Sequence, residues 1–263
     1  MNMRFGKLML AAALAGTVAA GSVPAVALAQ GEGAALQAQA EGRGTWEQSG
    51  SRWWFATEGG GYLQGGLWYV NNVPYIFDAN GWLITGRWTK LSDGMWYLSE
   101  TNGVVAQGWR NLYGVWYYLN PDDDGSMVTG WKAIGNAWYR FDSNGAMCTG
   151  WQQIAGDWFY FGASGAMYEN RWLKSGSYWY YLGSGGAMVT GWQQINGEDY
   201  CFSESDSNKT PMGGMFTGLV RVGDTSQFYF FYDDGTMARD VWIDTGSFGT
   251  MYFGSDGIGT PAQ

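Results

Sequence analysis

Tryptophans stand in pairs seven residues apart at four successive places in this chain: Trp109 and Trp116, Trp131 and Trp138, Trp151 and Trp158, Trp172 and Trp179. An aromatic run follows each second tryptophan, and a methionine closes each phrase at Met127, Met147, Met167 and Met188. Ring faces at that density offer a chemistry that polar side chains lack. A trimethylammonium group has no N–H to donate, yet its charge is drawn to the negative faces of indole and phenol rings, by about 0.5–2 kcal/mol per contact. A millimolar complex needs only about 4 kcal/mol. Several weak sites on one array gain by effective concentration against a polymer that repeats its ligand. The same rings could instead be core. Leucine or valine would fill an apolar seam without an indole N–H to satisfy, so the doubled tryptophan favours a cage. The second tyrosine, or the Leu or Phe, of each aromatic run is expected in the core.

Other chemistries find little support. The 263 residues include no histidine, which excludes a serine or cysteine triad built on His and a histidine-based zinc site. No catalytic residue, metal ligand or cofactor site is expected. Asp122, Asp123 and Asp124 form an acidic run, but "NPDDDG" reads as a solvated turn, as does Asp233-Asp234-Gly235. The glycines keep turn positions and form no phosphate-binding loop ahead of a helix. A net charge of −9 repels phosphate backbones, so nucleic acid is not an expected partner. A cationic or zwitterionic ligand is easier to accept.

The N-terminus reads as a secretory leader over residues 1–29. Arg4 and Lys7 precede an apolar stretch from Leu8 to Ala20, and Ala27-Leu28-Ala29 fits a small-x-small cleavage site. Cleavage there would start the chain at Gln30 and bring the charge to −11. No later apolar run is long enough to span a bilayer, and neither a lipid-anchor cysteine nor a sorting tail is visible. The expected location is outside the cytoplasm, at the cell surface or wall. Cys148 and Cys201 are the only cysteines; export permits a bridge, and two packed free thiols are the other reading.

The tryptophan phrase must be positioned by repeated elements. With 43 Gly, 17 Trp, 17 Tyr and 13 Phe, the composition fits short strands and tight turns. "WYYL" and "WFYF" are strand-forming, while "DSNG" and "DANG" supply turn residues. Each unit of about 20 residues reads as a β-hairpin, which cannot bury its apolar face alone and must stack on its neighbours. The fold class is therefore all-β, a solenoid of stacked β-hairpins. The divisions are a flexible linker at 30–43, divergent repeats at 44–108, regular repeats at 109–192, and degenerate repeats with a cap at 193–263. Side chains alternate across a strand, so Trp116 and Tyr118 share one face and Tyr117 and Leu119 the other.

The phrase "GWxxIxGxWYYxxxxGxMxTG" resembles the cell-wall-binding repeat of Gram-positive bacteria in its choline-binding form. The resemblance covers roughly residues 44–257 and is strongest from Gly108 to Trp192. It implies a left-handed β-solenoid in which choline, displayed on teichoic acids, binds between consecutive hairpins in a cage of Trp and Tyr rings closed by Met. Carried over, Trp109, Trp116 and Met127 with Tyr139 would frame one junction. Trp131, Trp138 and Met147 with Tyr160 would frame the next, and Trp151, Trp158 and Met167 with Tyr181 a third. Trp172, Trp179 and Met188 start a fourth, facing Tyr200 and Phe202. Three positions depart from the pattern: Arg140 replaces a Tyr, Asp199 a Trp, and Trp82 a Met. Arg140 would either repel a cation or point outward. The resemblance implies a non-catalytic binding module whose partner is choline or another quaternary amine on wall polymer. Related repeats in glucan-binding and toxin proteins keep wall glycans, or a purely structural array, as the alternative.

Overall fold

The structure, a computed structural model, describes residues 43–206, 209–222 and 227–262, all within the compact unit 38–263. The leader and all of the linker but Arg43 lie outside the described residues. Ten antiparallel hairpins follow one another: hairpin 1 at 44–57, 2 at 66–77, 3 at 87–99, 4 at 108–120, 5 at 130–141, 6 at 150–161, 7 at 171–182, 8 at 191–202, 9 at 218–221 with 228–231, and 10 at 241–253. Among the described residues the only helical segments are two short 3-10 turns, Pro121–Asp123 and Gly246–Phe248. The expected solenoid of stacked hairpins is the observed architecture.

Hairpin 6 shows how the sequence builds each unit. Ala155 and Gly156 both take positive φ, +54° and +101°, so the two-residue tip matches the twist of the strands it joins. Trp151 then faces Tyr160 across the ladder, and Gln153 faces Trp158. The strand ends on Phe161, a turn follows, and the chain returns with Met167 bridged to Phe161. The Met167 N–H continues past its own hairpin and donates to the Trp138 carbonyl of hairpin 5 at 2.8 Å. The same bond ties Met147 to Trp116, Met188 to Trp158, Met215 to Trp179 and Leu83 to Trp53. These backbone bonds fix how far one hairpin is displaced along the stack from the last.

The core is an axial ladder with one residue per hairpin. Phe77, Ser99, Leu119, Phe141, Phe161, Leu182, Phe202, Phe231 and Phe253 are at most 1 % exposed. Ser99 is the polar member, and its hydroxyl has no hydrogen-bond partner. At the C-terminal end, the strand Gly259–Pro261 pairs with Phe228 and with Met251–Phe253, joining hairpins 9 and 10 into one five-stranded sheet.

Candidate ligand cages between hairpins

Strand register gives each hairpin two different faces. On hairpin 6 one face carries Trp151, Trp158 and Tyr160, and the other carries Phe159 and Phe161. The tryptophan face is turned toward hairpin 7, and the phenylalanine face is turned back toward hairpin 5. At three of the four regular junctions the leading tryptophan therefore meets two rings of the following hairpin; Trp151 meets Tyr180 alone, because the ladder residue of hairpin 7 is Leu182. Of the two rings, one lies in the core ladder or beside it, and the other lies nearer the rim.

Three of the indole pairs stand almost perpendicular. Trp109 and Trp116 are 6.2 Å apart at 84°, Trp131 and Trp138 6.5 Å at 82°, and Trp151 and Trp158 6.3 Å at 87°. A third ring comes from the next hairpin. Tyr139 lies 5.0 Å from Trp109, Phe159 5.3 Å from Trp131, Tyr180 5.1 Å from Trp151 and Tyr200 5.0 Å from Trp172. Three faces at large mutual angles make the corner of a box. Burial pushes the Tyr180 and Tyr200 hydroxyls up from their ordinary value, so both rings stay neutral.

This geometry corrects two of the third rings expected from the sequence. Tyr160 and Tyr181 do not complete the junctions of the preceding hairpins. They lie across their own ladders from Trp151 and Trp172, at 5.4 and 5.1 Å. The rings that complete those junctions are Phe159 and Tyr180, one residue earlier, because only that parity of the strand faces backward. Tyr139 stands where the sequence put it.

Each methionine also belongs one junction away from its expected place. Met127 lines a cavity of about 330 Å³ with Trp88 and Trp96 of hairpin 3, Tyr117 of hairpin 4, and Ser143 and Asn144. It therefore closes the junction before Trp109, not after it. Met215 likewise packs with Trp172 and Tyr200. The bonds from Met147 to Trp116, Met167 to Trp138 and Met188 to Trp158 place those methionines by the same rule. The junctions are then Trp109, Trp116, Tyr139 and Met147; Trp131, Trp138, Phe159 and Met167; Trp151, Trp158, Tyr180 and Met188; and Trp172, Trp179, Tyr200 and Met215. Each thioether rests on a turn glycine of the following unit. A Cβ on Gly165, whose φ is +80°, would lie 2.2 Å from Met147 Sδ.

Two further ring sets were not singled out in the sequence. Trp88, Trp96, Tyr117 and Met127 form one. The other lies at hairpins 1 and 2, where Trp46 meets Tyr75 at 4.9 Å and Phe77 at 5.9 Å. There Leu83 donates to the Trp53 carbonyl at 2.7 Å and so takes the methionine position. Trp82, expected at that position, is one residue early. It packs against Trp54 at 5.5 Å, under the Arg52 guanidinium at 4.1 Å. The signal that could have found the first set is the Trp88–Trp96 pair, which differs from the regular spacing by one residue.

The choline-binding repeat family matches residues 106–148 and 128–172, and the putative cell wall binding repeat family matches residues 170–188. Among solved structures, CbpJ from Streptococcus pneumoniae is 29 % identical with a TM-score of 0.63, over 80 % of this chain and 76 % of that one. Choline binding protein F from the same organism, solved with a peptidoglycan analogue, is 28 % identical with a TM-score of 0.61 over the same shares. The chain carries choline-binding repeats. A curated relative, glucosyltransferase-I from Streptococcus downei, is 30 % identical over 93 residues, and the match spans 35 % of this chain but only 6 % of that enzyme.

The choline-binding repeats are not equivalent. Arg140 takes the place of Tyr118, Tyr160 and Tyr181 across from the leading tryptophan. It does not point outward: its guanidinium carbon lies 5.9 Å from the Trp131 centroid, and Nη1 donates to the Phe141 carbonyl at 2.8 Å. At hairpin 8, Asp199 replaces the second indole and pairs with Arg239. Its backbone carbonyl still accepts from Met237. Cys201 stands opposite Trp192, is buried, and is pushed up to about 12 by that burial. Both cysteines are free thiols. The acidic turn is held by local bonds, Ser126 to Asp123 at 2.5 Å and Tyr69 to Asp124. Among the described residues no three potential ligands gather as a metal site, and no helix is long and apolar enough to cross a membrane.

Proposed function

We propose that this chain is an exported, non-catalytic binding module that holds choline groups of cell-wall polymer in its inter-hairpin cages. The observation that carries the reading is a comparison inside the molecule. Between hairpins 2 and 3 the two tryptophan positions are Leu67 and Pro74, and Leu67 packs with Ile76, Tyr97 and Val105, all at most 5 % exposed. The stack can therefore seal a junction with aliphatic groups and two phenol rings, Tyr97 and the partly buried Tyr69. At the paired junctions it does otherwise: Trp96, Trp116, Trp131 and Trp179 keep 38–43 % of their surface exposed. Half-exposed indoles at right angles are poor core and good walls for a cation. The likeness to choline binding protein F supports a wall ligand, and the leader over residues 1–29 supports export.

A titration with choline chloride tests this, followed by tryptophan fluorescence with sodium chloride as the ionic-strength control. A saturable millimolar response specific to choline is expected, with a smaller amplitude in Trp151→Ala plus Trp158→Ala. The partial match to a glucosyltransferase favours a second reading, rings stacked on sugar. That reading requires oligosaccharide to compete and choline to have no effect.

A further inference from the structure

Three junctions depart from the ring pattern, and they stand three apart along the stack. Between hairpins 2 and 3 the place of a cage is filled by Leu67, Ile76, Tyr97 and Val105. Between hairpins 8 and 9 Asp199 replaces the second indole and pairs with Arg239. Between hairpins 5 and 6 both indoles are present, but the residue opposite the leading tryptophan is Arg140. Hairpins 4, 6 and 7 carry Tyr118, Tyr160 and Tyr181 at that position, and hairpins 1, 3 and 8 carry Phe55, Leu98 and Cys201. Hairpins 2, 9 and 10 carry Ile76, Phe230 and Tyr252, so among the described hairpins only the fifth places a charge there. Arg140 is half-buried and held: Nη1 donates to the Phe141 carbonyl at 2.8 Å, and the guanidinium carbon lies 5.9 Å from the Trp131 centroid. Among the described residues no carboxylate stands within ion-pair distance of it. The lysines near the rings are placed differently. Lys132 lies on the backward face and donates to Asn120 at 3.1 Å. Lys90 and Lys174 stand opposite the second indoles, Trp96 and Trp179. The Lys174 ammonium lies 5.7 Å from its ring, but both lysines are exposed at the rim, where solvent screens them.

We propose that Arg140 closes the junction of hairpins 5 and 6 to quaternary ammonium groups, because the chain itself supplies that junction's cation. The inference rests on the cage reading above. A guanidinium within about 6 Å of an indole already draws on the ring's attraction for positive charge. An ammonium bound in the same cage would also lie within about 6 Å of Trp131, so the two charges would be at most about 12 Å apart. At an effective dielectric of about 20, repulsion over that distance weakens binding about tenfold, and more at closer range. The open cages then lie between hairpins 1 and 2, as a pair across hairpins 3 to 5, and as a second pair across hairpins 6 to 8. Every third junction from hairpin 2 to hairpin 9 is closed, each by a different chemistry: apolar packing, a guanidinium and an ion pair.

The test uses protein labelled with 5-fluorotryptophan, with the Trp116, Trp138 and Trp158 resonances identified by single Trp→Phe variants. It is titrated with choline chloride at constant ionic strength. Trp116 and Trp158 are expected to saturate together, while Trp138 needs at least about tenfold more choline. Arg140→Tyr, the residue of hairpins 4, 6 and 7, and Arg140→Gln each bring the Trp138 midpoint to that of its neighbours. Arg140→Lys keeps the charge and keeps Trp138 insensitive. Thermal melts confirm that all three variants are folded. A wild-type Trp138 that titrates with Trp116 would overturn the inference, as would a Trp138 that stays insensitive in both uncharged variants. An Arg140→Lys protein that opens as fully as Arg140→Gln would overturn the charge argument and assign the closure to the shape of the guanidinium. If Trp116 and Trp158 also ignore choline, the cage reading fails and this inference fails with it.

Discussion

Trp116→Leu separates a ligand wall from a packing residue. Trp116 is 43 % exposed, so somewhat over half of its surface is packed. Taking the larger end of the range for an aromatic side chain, about 140 Å² is removed from water, an upper limit of about 3.5 kcal/mol at 25 cal/mol per Å². Leucine restores roughly half of that contact, which leaves a stability loss of about 1–2 kcal/mol. The loss of one of three ring faces is worth about 0.5–2 kcal/mol to a bound cation, or roughly 2- to 30-fold in affinity at that junction. Leu119→Ala is the control. Leu119 is fully buried in the axial ladder, so its truncation costs about 2–5 kcal/mol of stability and removes no ring. Calorimetric titration with choline and thermal unfolding, run on both variants, give the two readouts. The expected result is a cage defect with mild destabilisation in the first and the reverse in the second. A Trp116→Leu protein that loses stability yet keeps the wild-type choline isotherm would refute the assignment of that ring to the ligand.

Other substitutions test the surrounding framework. Ser99→Ala removes a buried hydroxyl without a partner and is expected to stabilise the fold by about 1 kcal/mol, read from denaturant unfolding. Gly165→Ala forces a side chain into positive φ and into contact with Met147; a loss of about 2–4 kcal/mol and a weaker cage at Trp109 and Trp116 are expected, checked by unfolding and choline titration. Burial first, then its bond to Asp124, pushes the Tyr69 hydroxyl from 10.0 up to about 12. The folded state thus holds that proton more tightly than the unfolded chain, so its contribution is full below pH 10 and is lost as the pH rises toward 12. Tyr97, pushed up by burial and Asp93, acts in the same direction. Tyr69→Phe should therefore make stability less steep over that alkaline range, measured by thermal melts across pH.

The hairpins were legible because strand, tip and turn are local. Trp151 to Trp158 spans one tip, and the aromatic run names the strand that returns. The core ladder was legible for the same reason, since Leu119, Phe141 and Phe161 close three successive runs. The ring that faces backward was legible only to within one residue. A shift of one position exchanges the two faces of a strand, and that exchange turned Tyr160 and Tyr181 from partners of the previous hairpin into partners of their own. The methionines were misplaced for a different reason. Met147 follows Trp138 in the chain, but its N–H bonds to Trp116. How far one unit slides along the stack is set by backbone bonds between units, and no spacing within a unit records it.

Those bonds also explain why cage residues can erode while the hairpins persist. The second tryptophan has two separable tasks. Its carbonyl receives the next unit's N–H, and its ring forms a wall. Pro74 and Asp199 both keep the first task, accepting from Val105 at 2.8 Å and from Met237 at 3.1 Å, although neither has an aromatic ring. Any residue supplies a carbonyl, so the fold tolerates substitution there and the side chain is free to follow the ligand. The junction of hairpins 2 and 3 uses that freedom to seal itself. Hairpin 8 uses it to place Asp199 beside Arg239. Where tryptophan is kept instead, in four successive repeats, the backbone bond does not require it. On the proposed function, the requirement lies in the ligand that the rings would enclose.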